Sequence, residues 1–432
     1  MKLRCNVLSV ALLAAGAAAS TKPTLDADQI SDDLSWRELR NNVLAWNLYS
    51  EVNRFNPAGF RAMGSGGFQQ SVNHVIRGVQ RCRDMATHHL QRFNFVHEKL
   101  NKITLDGPVR DPVAVSTVRF NTASGHRGVT GELVPLQVGC YEDQWTHIGV
   151  RNRIALVRGG QCNITDKVKL AKKHGARAVI FYDEPTESSL NPEDANKLIP
   201  VGIVSREVGE QWSKQFHDGK HIRVKLNVGL STKNVREAGI NVIAETTTGS
   251  PDHVIMIGAR LDSPDGPGLN DPGSGAAALL ELLETIHLYT GYFRRIRFAW
   301  WGGEFGPEKY MASLSPAEAA KIRVYLDVNT IASHNPNFTI FSYDDADKVL
   351  AGSILTDYLT ERSGVNATYR EPDRESASVA FRKRGIPCSG ITTGADACKG
   401  LPCDDSTNFN PDALHVAARA LAFTISKLAL RH

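Results

Sequence analysis

From about Asn234 to the C-terminus, short apolar runs alternate with amphipathic stretches. "NVIAE" and "HVIMIGA" read as buried strands, and "RIRFAWW" (Arg295 to Trp301) and "YLDVNTIA" as two more. Between them "AAALLELLETIHL" places Leu279, Leu282, Leu283 and Ile286 on one helical face, and "SPAEAAKI" reads as a short helix. A final helix from Asp412 carries Leu414, Ala418, Leu421, Ile425 and Leu428 in one stripe. This alternation predicts an α/β fold: a mostly parallel, doubly wound sheet with helices on both faces. Ligands of such sheets sit beyond the carboxyl ends of the strands. "GARLDS", "WGGE" and "DVN" each follow a predicted strand, so three loops are expected at one rim.

The pattern differs upstream. Residues 35–105 are rich in helix formers and read as helices covering a core, with "GFRAMGSGGFQQSVNHVI" (Gly59 to Ile76) a glycine-rich turn leading into one of them. "DGPVRDPVAV" (Asp106 to Val115) looks like a boundary. From Val118 to Leu230 the runs shorten and become β-like: "GELVPL" and "RIALVRGG" are strands, and "DKVKLAKKHGARAVIFYDE" is a helix, a glycine stop and a strand. This stretch predicts a small β-rich unit with one βαβ-like passage.

At 432 residues the chain is long for one domain. It is 42% apolar and 22% charged, with a formal net charge of +4 and no Lys/Arg cluster interleaved with aromatics, which argues against a nucleic-acid partner. Lys2 and Arg4 precede an apolar run from Val7 to Ala19 that ends in small residues, the pattern of a signal peptide over residues 1–20. No run reaches the roughly 20 residues of a membrane span. The expectation is therefore a secreted, extracellular glycoprotein without a membrane span, with Asn163, Asn337 and Asn366 as acceptors in Asn-x-Ser/Thr triplets. Six cysteines remain after Cys5: Cys82, Cys140, Cys162, Cys388, Cys398 and Cys403, an even number that points to disulfides.

"GARLDS…GPGLNDPGSGAAALLELL", "RFAWWGGEFG", "YLDVNTIAS" and "CKGLPCDD" resemble, in order and spacing, the secreted fungal-type zinc aminopeptidases of the leucine aminopeptidase, glutamate carboxypeptidase and transferrin receptor superfamily. "TGELVPLQVGCYEDQW" and "IALVRGGQCNITDKVKLAKKHGARAVIFY" resemble a protease-associated domain. Similarity extends over nearly the whole mature chain. The resemblance implies a peptidase-like domain over 21–110 and 233–432, split by a protease-associated insert over 111–232. It also implies Cys140–Cys162 and Cys398–Cys403 bridges; it leaves the pairing of Cys82 and Cys388 open.

A two-zinc aminopeptidase needs a bridging carboxylate, a histidine and a further carboxylate on each metal, and a glutamate that deprotonates the metal-bound water. In the family's "HxD" the Asp orients the histidine. This chain has "RLD": Arg260 stands where the ligand is expected, while Asp262 keeps the orienting place. Asp271 matches the bridging carboxylate, with Pro272 fitting a helix that starts just after it. The family's paired acids become Glu304, at the base position, and Phe305, which has no donor atom. The last residue of "YLNFD" becomes Asn329, with Asp327 two residues earlier on the same strand face. "CYHQxC" becomes "CKGLPC", with Gly400 at the last histidine, and "SDY" becomes "SAS", with Ala377 in place of its acid. By this correspondence four of five ligand positions are substituted and Asp271 alone is kept, so no metal is expected, zinc being the cofactor if the family activity persists. No HExxH or GxSxG supplies another site, and His253, His287, His334 and His415 are isolated.

Arg260, Asp271 and Glu304 are expected to converge, the guanidinium neutralising and hydrogen-bonding two crowded carboxylates in place of a metal. The expected function is that of a non-hydrolysing relative that binds a protein, peptide or small molecule. The alternatives are an active metallo-aminopeptidase with atypical ligands, or a metal-free enzyme with Glu304 as base and Arg260 as oxyanion partner on a small-molecule substrate.

Overall fold

The computed structural model describes residues 22–52, 59–108, 112–183, 189–191, 194–373, 376–394 and 396–431. The signal peptide expected at 1–20 lies outside them. The chain divides into two compact units, Met1–Gln91 with Asn241–His432, and Arg92–Ile240. Both divisions fall inside long strands, Ala86–Asp106 and Arg223–Thr246, which carry the chain from one unit into the other.

The first unit opens on three helices, α1 (Ala27–Asp33), α2 (Trp36–Ser50) and α3 (Gly66–Arg81). Each starts at a side-chain cap: Asp26, Ser35 and Ser65 accept backbone N–H groups of the first turn. The expected helical cover over residues 35–105 stops at Arg81, and the last twenty residues of that stretch are strand. The reason is legible in retrospect: Phe93 and Phe95 are buried while Arg92 and Asn94 are exposed, a period of two.

The sheet of this unit has a parallel centre. β1 (Ser250–Arg260) lies between β2 (Arg294–Trp301) and β3 (Ile322–Val328), and β3 is flanked on its far side by Cys388–Thr392. Thr339–Ser342 continues the sheet antiparallel to Cys388–Thr392, and residues 242–245 close the other side antiparallel to β2. The central strands are buried over Val254–Ala259, Phe298–Trp301 and Val324–Val328, as continuous apolar runs in a covered parallel sheet require. α4 (Gly273–Ile286) and the C-terminal helix α5 (Pro411–Ala429) are also buried around most of their circumference, far beyond the single stripes that the sequence indicates. Because β1, β2 and β3 run parallel, the loops after Arg260, Trp301 and Val328 emerge at one edge.

Burial of α4 leaves one acidic group in an apolar setting. Glu281 is 3% exposed, accepts the Ser35 N–H at 2.8 Å, and burial pushes its carboxyl up to about 7. The folded state then holds this proton more tightly than the unfolded state does. Its contribution to stability is present at low pH and is lost as the pH rises from the unfolded value, near 4.5, through 7. Calorimetric melting points of the wild type are expected to fall between pH 5 and pH 8 by more than those of Glu281→Gln, which keeps the acceptor and loses the charge. Equal pH slopes for the two proteins would refute this.

The second unit contains four parallel strands, Val129–Leu136, Ile154–Arg158, Ala178–Tyr182 and Val201–Val204, with residues 129–132 also antiparallel to 223–226. Helices Ile164–Lys173 and Arg206–His217 accompany them, and Leu133, Ile154, Leu156, Ile180, Trp212 and Leu226 form the core. Cys140 and Cys162 are bonded in this unit.

Candidate active-site pocket

At the carboxyl edge of β1, β2 and β3 lies a cavity of about 490 Å³. Arg260, Asp271, Glu304 and Asn329 line it, together with Asp327, Asp373, Asp396, Arg370 and Lys399. The three loops expected at one rim thus meet. Three other residues read from the sequence as pocket residues, Asp262, Phe305 and Gly400, do not line the cavity. Asp262 lies beneath Arg260 and is buried, Phe305 caps the following helix Gly306–Ser313, and Gly400 is exposed.

Arg260 ends β1 and turns back on its own loop. Its Nε donates to Asp262 Oδ1 at 2.6 Å and a terminal nitrogen donates to Oδ2 at 3.3 Å, a two-pronged pairing. Burial alone would lower the Arg260 pKa; the Asp262 carboxylate reverses this, Glu304 and Asp271 add to it, and the guanidinium is held more firmly charged than usual. The expectation that Arg260 hydrogen-bonds Asp271 and Glu304 is therefore corrected. Its hydrogen bonds go to Asp262, because a carboxylate two residues along an extended segment faces the same way. Asp271 and Glu304 act on it through space.

Asp271 follows a tightly held turn. The backbone N–H groups of Asn270 and Asp271 both donate to the Asp404 carboxylate at 2.9 Å, and Asn408 adds a third donor at 3.2 Å. Burial pushes Asp404 up to about 6 in spite of those donors. The Asp271–Pro272 bond is cis and α4 starts at Gly273, where Pro272 indicates. The charge partner of Asp271 is Lys399, whose Nζ lies 3.1 Å from Oδ2 as an ion pair outside hydrogen-bonding direction. Lys399 belongs to the loop closed by Cys398–Cys403. Gly400 beside it has φ of +68°, a conformation that L side chains rarely adopt.

Glu304 follows Gly303, whose φ of +72° turns the chain sharply after β2 and directs the carboxylate into the cavity. At the end of β3, Asn329 donates its amide to Asp327 Oδ1 at 3.0 Å, Ser376 donates to Oδ2, and the Tyr325 hydroxyl donates at 3.4 Å. Asp327 is fully buried, and burial pushes its carboxyl up to about 6 against the pull of these three donors. Ala377 also lines the cavity. Among the described residues, no group of three or more His, Cys, Asp or Glu side chains is arranged to hold a metal ion.

Two supports carry no sequence signal for their role. Arg61, within the "GFRAMG" turn, is wholly buried. It donates to the carbonyls of Leu261, Pro267 (2.8 Å) and Gly268 (2.9 Å) and to Ser71 Oγ (3.3 Å), and lies over the Trp46 ring. Burial lowers it to about 10, which leaves it charged at physiological pH. It thereby holds the loop between Arg260 and Asp271 from below. Asp396 similarly accepts the amides of Asn270 and Asn408. With the exception of Trp46, Ser71 and Asn408, these partners are separated by 126 or more residues, and nothing in the linear sequence joins them.

A rim of parallel-strand loops carrying this order of residues places the chain among the aminopeptidase-type α/β proteins. The family model Peptidase family M28 matches residues 241–425 and the PA domain model matches residues 129–212. An Aminopeptidase of Pseudomonas aeruginosa is 30% identical over 429 residues, covering 86% of this chain and 77% of that protein. Aminopeptidase Y of Saccharomyces cerevisiae is 27% identical over 450 residues, covering 94% and 81%. An aminopeptidase from Aneurinibacillus sp. strain AM-1 superposes with a TM-score of 0.78 at 22% identity, covering 94% of this chain and 97% of that one. The chain belongs to peptidase family M28, with a PA domain inserted in it.

The expected Cys140–Cys162 and Cys398–Cys403 bonds are both present, and Cys82 and Cys388 are free and buried. Among the described residues no helix is long and apolar enough to cross a membrane.

Proposed function

We propose that this family member uses the peptidase scaffold for binding and does not hydrolyse peptides with zinc. The observation that carries the reading is the pair of ion pairs at the site: Arg260 with Asp262, and Lys399 with Asp271. Arg260 stands at a position where the family correspondence expects a metal ligand, and the Lys399 ammonium lies beside Asp271, the matched bridging carboxylate. Neither a guanidinium nor an ammonium offers a lone pair, and each repels a divalent cation. Phe305 and Gly400 supply no donor atom, and Asn329 offers only an uncharged amide oxygen while its nitrogen donates to Asp327. The residues present do not fit a two-zinc centre, so zinc has no part in the proposed role. What they support is an open, charged cavity, flanked by fixed strands, for a protein segment, peptide or small molecule.

The test is elemental analysis of the purified protein after incubation with zinc, paired with hydrolysis of an aminoacyl anilide with and without chelator. Substoichiometric zinc and no chelator-sensitive cleavage are expected. Near-stoichiometric zinc together with chelator-sensitive cleavage would overturn the proposal. Chelator-insensitive cleavage abolished by Glu304→Gln would instead support the metal-free enzyme.

A further inference from the structure

We propose that Asn337 carries an N-linked glycan that stands over the mouth of the pocket and screens it from bulky molecules. Asn337 opens the triplet Asn337-Phe338-Thr339 and is exposed, and it is also one of the residues that line the cavity. The sequon therefore lies on the rim of the site itself. Its backbone is held firmly: the Asn337 N–H donates to the Thr393 carbonyl at 2.7 Å, Phe338 is buried, and Thr339 pairs with Thr392 in the sheet. A glycan attached there is anchored on a rigid edge and cannot swing away with a mobile loop.

The transfer uses a lipid-linked oligosaccharide, the donor of the secretory route. A bond forms between the anomeric carbon of the sugar and Asn337 Nδ2, the lipid diphosphate leaves, and the amide loses one proton. The inference rests on export of the chain, which the leader pattern and the two disulfides support. Its consequence is steric and is independent of metal: small ligands and flexible chain ends reach Asp271 and Glu304, while folded proteins are held off.

Lys399 is a built-in reporter, since its side chain is 69% exposed and it lines the same cavity. The protein, expressed in a glycosylating eukaryotic host, is analysed by glycopeptide mass spectrometry. Lys399 is then acylated with a small acetyl ester or a long polyethylene glycol ester, with exposed Lys214 as internal reference. A glycan at Asn337 is expected, with the large reagent several-fold slower at Lys399 than the small one. That difference is expected to vanish after enzymatic deglycosylation and in Asn337→Gln. An unmodified Asn337, or size selectivity unchanged by removal of the glycan, overturns the inference. Glycans on Asn163 and Asn366 beside an empty Asn337 separate its failure from failure of export.

Discussion

Replacement of Arg61 by methionine is expected to destabilise the protein by on the order of 4 kcal/mol. The side chain is wholly buried and its guanidinium satisfies three backbone carbonyls of the loop 261–268. Methionine fills much of the volume and none of the hydrogen bonds. Each buried acceptor left without a donor costs about 1–3 kcal/mol, and partial relaxation of the loop recovers some of the sum. The site above is expected to loosen with it, because the same loop joins Arg260 to the turn at Asn270 and Asp271. Urea unfolding followed by tryptophan fluorescence measures the first effect. A loss below about 1 kcal/mol would show that the carbonyls find water instead.

The second large effect is expected at Arg260. Arg260→Ala leaves Asp262, only 5% exposed, without its cation. Truncating one member of a largely buried, two-pronged pair is expected to lower stability by about 2–3 kcal/mol, less than for a fully buried pair because Arg260 is itself a third exposed. Lys399→Ala provides the contrast. Its ammonium is mostly exposed, so removal is expected to change stability by under about 1 kcal/mol. Melting curves of both variants decide the matter. An Arg260→Ala curve identical to wild type would show that the guanidinium does not hold the site together.

A single arginine bridging Asp271 and Glu304 is the simplest arrangement compatible with the sequence. In the structure Arg260 pairs with Asp262 instead, and Lys399 pairs with Asp271. Lys399 stands in the motif "CKGLPC", next to Gly400, yet linear spacing does not say which side chain of a disulfide-closed loop turns inward. The end of β3 has a similar character. Asp327 and Asn329 share a strand face, which the period of two predicts, and they hydrogen-bond each other. That Ser376, 49 residues on, completes the arrangement follows only from the packing.

What the linear chain carries is local and periodic. Apolar runs that alternate with amphipathic segments dictate a covered parallel sheet, and such a sheet delivers the loops after Arg260, Trp301 and Val328 to one edge. Capping serines, the glycine stop after Lys173 and the proline before α4 likewise act within a few residues of themselves. In the strand at Ala86–Asp106 the period of two is marked locally, by Phe93 and Phe95 beside Arg92 and Asn94, under a composition that favoured helix. Partners far apart in the chain belong to the folded molecule alone. Arg61 under a loop some 200 residues away and Asp404 on the turn at Asp271 were settled by where the core left buried polar groups to be satisfied. That requirement acts through space, once the sheet and helices have brought distant segments together, and so no pattern along the sequence records it.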